Sequence, residues 1–189
     1  MVRMLAVVVA FALAQTAAPA VRVQFLDGPT SADPFSAPAG VKAIVFLFTS
    51  TECPISNRYA PELRRLAETF VPQGVLFRLV YPNPAEDATA IREHMAAFAY
   101  AGATQALRDP THALVKAVGA TITPEAAVYA GGRVRYRGRI DNRFVDFGVD
   151  RPAATEHDLR DAIAAILAGK PVTHPETQPV GCYIADFAR

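Results

Sequence analysis

Ala43-Ile44-Val45-Phe46-Leu47-Phe48-Thr49-Ser50-Thr51-Glu52-Cys53-Pro54-Ile55-Ser56 is the stretch whose reading decides the fold. Its apolar half, 43–48, has the length of one strand, and unbroken apolarity describes a strand covered on both faces. The period then changes. Ile55, Tyr59, Leu63, Leu66 and Phe70 recur at steps of three and four, one stripe of a helix of about four turns. Pro54 suits the first helical position, where a missing N–H costs nothing, and Pro72 and Gly74 end the run. Cys53 therefore stands at the N-cap, between a buried strand and a helix, where open α/β sheets place their ligands.

A sulfur in that position faces the free N–H groups of Ile55 and Ser56 and the positive end of the helix dipole. Both favour the thiolate, which is the reactive form. The Ser56 hydroxyl adds a donor. A buried small hydrophobe is the plainer reading of any cysteine, but the helix start outweighs it here. The second cysteine, Cys182, lies 129 positions away. A chain of this size does not depend on one disulfide for stability, so the pair reads as chemistry. A single stabilising bridge across a long loop fits the same spacing.

Outward from this centre, 21–26 alternates like a short strand, 30–40 is a Ser/Pro/Ala-rich loop, and 75–80 is a second apolar strand. A helix over 86–99 turns Ile91, Met95 and Phe98 inward, and a short strand is expected at 105–107. Asp109 caps a helix that Pro110 opens and that runs to Val118. Strands over 126–129 and 134–140 flank Gly131-Gly132, a pair suited to a primed hairpin turn. A last helix over 156–167 carries Leu159, Ile163 and Ile166. Strands alternating with helices and then a hairpin describe an α/β sandwich with a mixed central sheet, in one domain over 21–189.

Composition narrows the function classes. Lys and Arg total 19 against 18 Asp and Glu, so a near-neutral chain gives no electrostatic reason to expect nucleic acid or an anionic membrane as partner. Arg133, Arg135, Arg137 and Arg139 alternate along one strand face, which reads as solvated and partly neutralised by Asp141 and Asp146. Residues 1–20 hold Arg3, an apolar run too short to span a bilayer, and small residues at Ala18-Pro19-Ala20. That is the pattern of a cleaved signal peptide, which predicts an exported protein, periplasmic or secreted, not inserted in the membrane after cleavage.

Several motifs together carry a family resemblance. Cys53-Pro54-Ile55-Ser56 follows an apolar strand, Thr123-Pro124-Glu125 precedes a hairpin, and Gly181-Cys182-Tyr183-Ile184 lies near the C-terminus. With Asp109-Pro110-Thr111-His112 and Tyr136-Arg137-Gly138-Arg139-Ile140-Asp141, they resemble the thioredoxin superfamily, and within it the redoxins of the AhpC/TSA, peroxiredoxin-like kind. The resemblance covers about 41–184. It implies a thioredoxin-like fold, Cys53 as attacking thiol, Thr123-Pro124 as a cis-proline loop beside it, and no cofactor. It further implies a peroxide or a disulfide-bearing protein as substrate and a thiol reductant as partner. A dithiol motif has its second cysteine at position 56, where this chain has Ser56. The peroxiredoxin pattern has proline at 46 and a hydroxyl at 50; Phe46 replaces the first and Ser50 keeps the second. Arg58 or Arg139 would have to supply the cation that polarises a peroxide.

Ser56 leaves Cys182 as the thiol in the chain able to release an oxidised Cys53, within the molecule or across a dimer. Two readings compete with the oxidoreductase. One is a copper-binding protein similar to the Sco proteins, with Cys53 and His112 as soft ligands for Cu(I), although Thr49 stands where those proteins have a cysteine. The other is a redox-inactive binding module that keeps only the fold.

Overall fold

The computed structural model describes residues 20–100, 102 and 104–185. The leader expected over 1–20 lies outside them except for Ala20. Strand β2 (Ala43–Phe48) is buried throughout. Its alternate side chains serve two cores: Ala43, Val45 and Leu47 enter one, and Ile44, Phe46 and Phe48 the other. This is the two-faced burial that its unbroken apolarity requires.

Around it lie β1 (Gln24–Phe25), β3 (Val75–Tyr81), β4 (Thr104–Arg108), β6 (Glu125–Ala130) and β7 (Arg133–Gly138). The sheet order is β1-β4-β3-β2-β6-β7. Strands β2, β3 and β4 are parallel, while β1, β6 and β7 are antiparallel to their neighbours. The sheet is mixed, as its pattern predicts. Gly131 and Gly132, with φ of 60° and 81°, make the hairpin turn. One core packs α1 (Pro54–Arg58), α2 (Ala60–Phe70), α3 (Ala88–Ala97) and α5 (Asp158–Leu167) on the sheet through Ile55, Leu63, Phe70, Ile91, Leu159 and Ile163. The other packs α4 (Ala113–Val118) with Val23 and Phe35.

Four details differ from the sequence reading. The helix expected to run from Ile55 to Phe70 is two helices, α1 and α2, meeting at Tyr59. Pro61 explains the break, because it has no N–H to offer Asn57 and its ring clashes with that carbonyl. The α4 helix begins at Ala113, not at Pro110. Asp109 still caps it from a distance, its carboxylate accepting from the N–H groups of Ala113, Leu114 and Val115 at 2.8–2.9 Å.

The arginine row is not neutralised as expected. Arg137 faces Glu125 and Glu176, and Arg139 pairs with Glu156 and Asp158. Asp141 instead accepts from Tyr59 and the Arg143 N–H, and Asp146 from the Phe147 N–H. Two small pairings escaped the reading because each strand is only two or three residues long. One joins β8 (Phe144–Asp146) to β9 (Val149–Asp150), and the other joins β5 (Ile122–Thr123) to β10 (Cys182–Tyr183).

Asp109 is fully buried. Asp109→Ala strands three N–H donors, two of them buried, and is expected to lower stability by roughly 2–3 kcal/mol, read from urea denaturation; a loss under about 0.5 kcal/mol contradicts the capping role.

Candidate active site

Cys53 is the N-cap of α1, in extended conformation (φ −79°, ψ 109°), with Pro54 in the first turn. The turn before it is held from three directions. The Cys53 N–H donates to the Ser50 carbonyl at 3.3 Å. The buried carboxylate of Glu86 accepts from the Ser50 hydroxyl (2.8 Å), the Thr51 N–H (2.6 Å) and the Thr51 hydroxyl (2.9 Å). Asn57 donates its amide to the Thr51 carbonyl at 3.1 Å. Because that amide donates, the Asn57 carbonyl oxygen accepts from His94 Nε2 (2.8 Å), and His94 Nδ1 accepts from the Tyr81 hydroxyl (2.9 Å). Burial pushes the His94 pKa down, so the neutral ring this arrangement needs is favoured.

The other half of the site arrives from far along the chain. The Thr123–Pro124 peptide bond is cis. Glu125, buried immediately after it, accepts from the N–H groups of Thr121 and Ile122 at 2.8 and 3.3 Å. The C-terminal segment is stitched along β7. Arg137 N–H donates to Pro175, Thr177 N–H donates to Arg137, and the Thr177 hydroxyl bonds to Tyr136 and the Arg139 N–H. Gly138, at φ 146°, permits this approach, since a Cβ there would collide with the Thr177 backbone. The segment then crosses to β5 and pairs antiparallel, Cys182 opposite Thr123 and Tyr183 opposite Ile122. Ile184 N–H adds a bond to Thr121 at 2.9 Å. Gly181 lies flat on Thr123, where a Cβ would meet the carbonyl oxygen.

Both cysteines are free. Cys53 Sγ lies 3.1 Å from the Thr123 carbonyl oxygen, which accepts from the thiol when it is protonated. It also lies 3.1 Å from Cys182 Sγ, whose S–H donates toward it. Burial pushes the Cys53 thiol up, but the Ser56 hydroxyl and N–H, the Cys182 thiol and Thr123 outweigh it, and the net shift is downward. Burial and the neighbouring Cys53 sulfur push Cys182 up to about 11. Of the two thiols, Cys53 is therefore the first to lose its proton.

Cys53, Ser56, Thr123-Pro124 and Cys182 are thus together. Ser50 borders a small cavity with Cys182, but its hydroxyl is committed to Glu86. His112 stands at the start of α4. Its Nε2 lies 3.0 Å from the Pro82 carbonyl oxygen, and the residue caps α4 in the left-handed region at φ 56°. Among the described residues no cluster of three or more His, Cys, Asp or Glu is arranged to hold a metal. Arg58 pairs with Asp150 at 2.6 Å, and Arg139 is held by Glu156 and Asp158. A cavity of about 620 Å³ lies between α5 and the 172–177 segment, and neither cysteine lines it.

No family model matches the sequence, and no curated protein matches it. Solved structures do. An uncharacterized conserved protein from Geobacillus kaustophilus aligns over 90% of each chain at 23% identity and a TM-score of 0.73. A hypothetical protein from Sinorhizobium meliloti aligns over 79% of this chain and 82% of its own, at 26% identity and a TM-score of 0.65. A secreted Mycobacterium tuberculosis disulfide oxidoreductase homologous to E. coli DsbE aligns over 79% of this chain and 96% of its own, at 18% identity and a TM-score of 0.52. The fold is thioredoxin-like. Within that thioredoxin-like frame, α1 presents the first sulfur and the C-terminal strand supplies the second.

Glu86, Glu125 and Gly181 are site residues to which the sequence reading assigns no role, although Glu125 and Gly181 stand inside its motifs. A signal for Glu125 was available, since a carboxylate opening an otherwise apolar strand must be buried with partners. Two results follow from the geometry. In reduced protein the first thiolate to appear, read by ultraviolet absorbance, belongs to Cys53, with a midpoint below the ordinary 9.0, and Ser56→Ala raises it; an unchanged midpoint contradicts the assigned donors. Gly181→Ala lifts β10 off Thr123, so Cys53 is alkylated faster while the global fold, read by circular dichroism, is retained. Unchanged alkylation shows that the strand does not cover Cys53.

Proposed function

We propose that this protein is an extracytoplasmic thiol–disulfide oxidoreductase whose working couple is Cys53 and Cys182. The observation that carries the reading is the 3.1 Å contact between sulfurs drawn from opposite ends of the chain, one of them favoured as thiolate. A disulfide needs about 2.05 Å between sulfurs, so closure takes about 1 Å of approach and no rearrangement of the fold. Forming it removes two electrons from the pair, which pass to a substrate disulfide, and the Cys182 proton leaves with the reduced product. The reverse reaction, driven by a thiol reductant, restores the dithiol.

Disulfide exchange fits the site better than peroxide reduction. The Ser50 hydroxyl and the Arg58 and Arg139 guanidiniums, the groups the AhpC/TSA resemblance offers for a peroxide, are committed to Glu86, Asp150, Glu156 and Asp158. The structural likeness to a secreted disulfide oxidoreductase supports the same choice. Export is supported by the leader pattern of 1–20 and by chemistry suited to an oxidising compartment. Among the described residues no helix is long and apolar enough to cross a membrane.

Reduction of insulin disulfides with dithiothreitol as donor tests the proposal. Cys53→Ser is expected to abolish turnover. Cys182→Ser is expected to lower it at least about tenfold and to accumulate a mixed disulfide on Cys53. Because the thiolate is the active form, wild-type activity falls as pH drops through the depressed Cys53 pKa and is kept above it. Full activity in Cys53→Ser rejects the function, and full activity in Cys182→Ser rejects the couple.

A further inference from the structure

We propose that external thiols attack the oxidised couple at the sulfur of Cys182, with Cys53 as the leaving group, so that the covalent intermediate is a mixed disulfide on Cys182. This rests on the reading of the two cysteines as a redox couple, and it reverses the roles that the position of Cys53 at a helix start suggests.

Access is the first argument. Cys53 is 2% exposed and packs in the main core with Ile55 and Tyr59, beneath the C-terminal strand. Cys182 is part-exposed. It borders a cavity of about 100 Å³ lined also by Ser50, Asn83, Thr123 and Tyr183, and Cys53 is not among the residues bordering it. Tyr183, on the same rim, is 84% exposed. A nucleophile small enough for the cavity, or a cysteine on a projecting loop, reaches Cys182 with the strand in place. Reaching Cys53 requires stripping β10 from β5.

The departing sulfur is the second argument. In thiol–disulfide exchange the thiol of lower pKa leaves faster. Ser56 lowers the Cys53 pKa, whereas burial and the neighbouring sulfur disfavour charge on Cys182. The step balances as follows. A thiolate RS⁻ bonds to Cys182 Sγ, the Cys182–Cys53 bond breaks, and its electron pair stays on Cys53 as thiolate. A second RS⁻ attacks the RS sulfur, releasing RSSR and Cys182, which takes up a proton. Two thiols are oxidised and one protein disulfide is reduced.

The test uses the oxidised wild-type protein. Its Cys53–Cys182 disulfide is first verified by non-reducing peptide mapping. Substoichiometric glutathione is then added, the reaction is quenched with acid and N-ethylmaleimide at a series of times, and the adducts are mapped and extrapolated to zero time. Glutathione on Cys182 with maleimide on Cys53 is expected in at least about tenfold excess over the reverse adduct. Glutathione chiefly on Cys53, or equally on both, overturns the proposal and leaves the couple intact. Absence of the starting disulfide overturns the couple and this inference together, and it is seen before any glutathione is added.

Discussion

The pairing of Cys182 with Thr123 and of Tyr183 with Ile122 is the interaction on which the site depends. It is two residues long, too short to hold by itself. Its position is secured on both sides. Glu125 fixes the backbone of β5 from within, and Thr177, pressed against Gly138, fixes the approach of the tail from β7. Without the first the tail has no edge to join, and without the second its end must be ordered at the full entropic cost of a free segment. A sulfur that is remote in sequence is thereby made local in space.

A two-cysteine helix motif keeps both sulfurs in one turn, whereas here the second comes from the tail. In this chain the helix start holds Cys53 and Ser56, and the serine favours negative charge on the sulfur. The helix can thus be optimised for holding negative charge, while the tail is optimised for reach. The loop between strand and helix is correspondingly rigid, with Glu86, Asn57 and His94 bracing the residues just ahead of Cys53.

Much of this was legible from residues. The two-faced strand 43–48, the N-cap position of Cys53, the hairpin at Gly131-Gly132 and the inward stripe of α5 follow from periodicity and turn chemistry, which are local. The break at Tyr59 was equally local, since Pro61 stands four residues after Asn57, but a strong apolar stripe masked it. The partners of Arg137 and Arg139 were not legible, because they lie on α5, on the tail and on the neighbouring strand, and no pattern in 133–139 specifies them. Nor were β5 and β10. Two-residue strands carry no period, and their pairing is dictated by Gly181 lying against Thr123 and by tail contacts that only the folded sheet creates.

The separation of the two thiol pKa values has an electrochemical consequence. Between the pKa of Cys53 and that of Cys182, which stands at about 11, the reduced pair holds one proton, not two. Oxidation there releases two electrons and one proton. The midpoint potential of the couple therefore falls by about 30 mV per pH unit across this interval, half the slope of an ordinary dithiol. Where acidity varies within this interval, such a pair changes its potential less than a dithiol that must shed both protons.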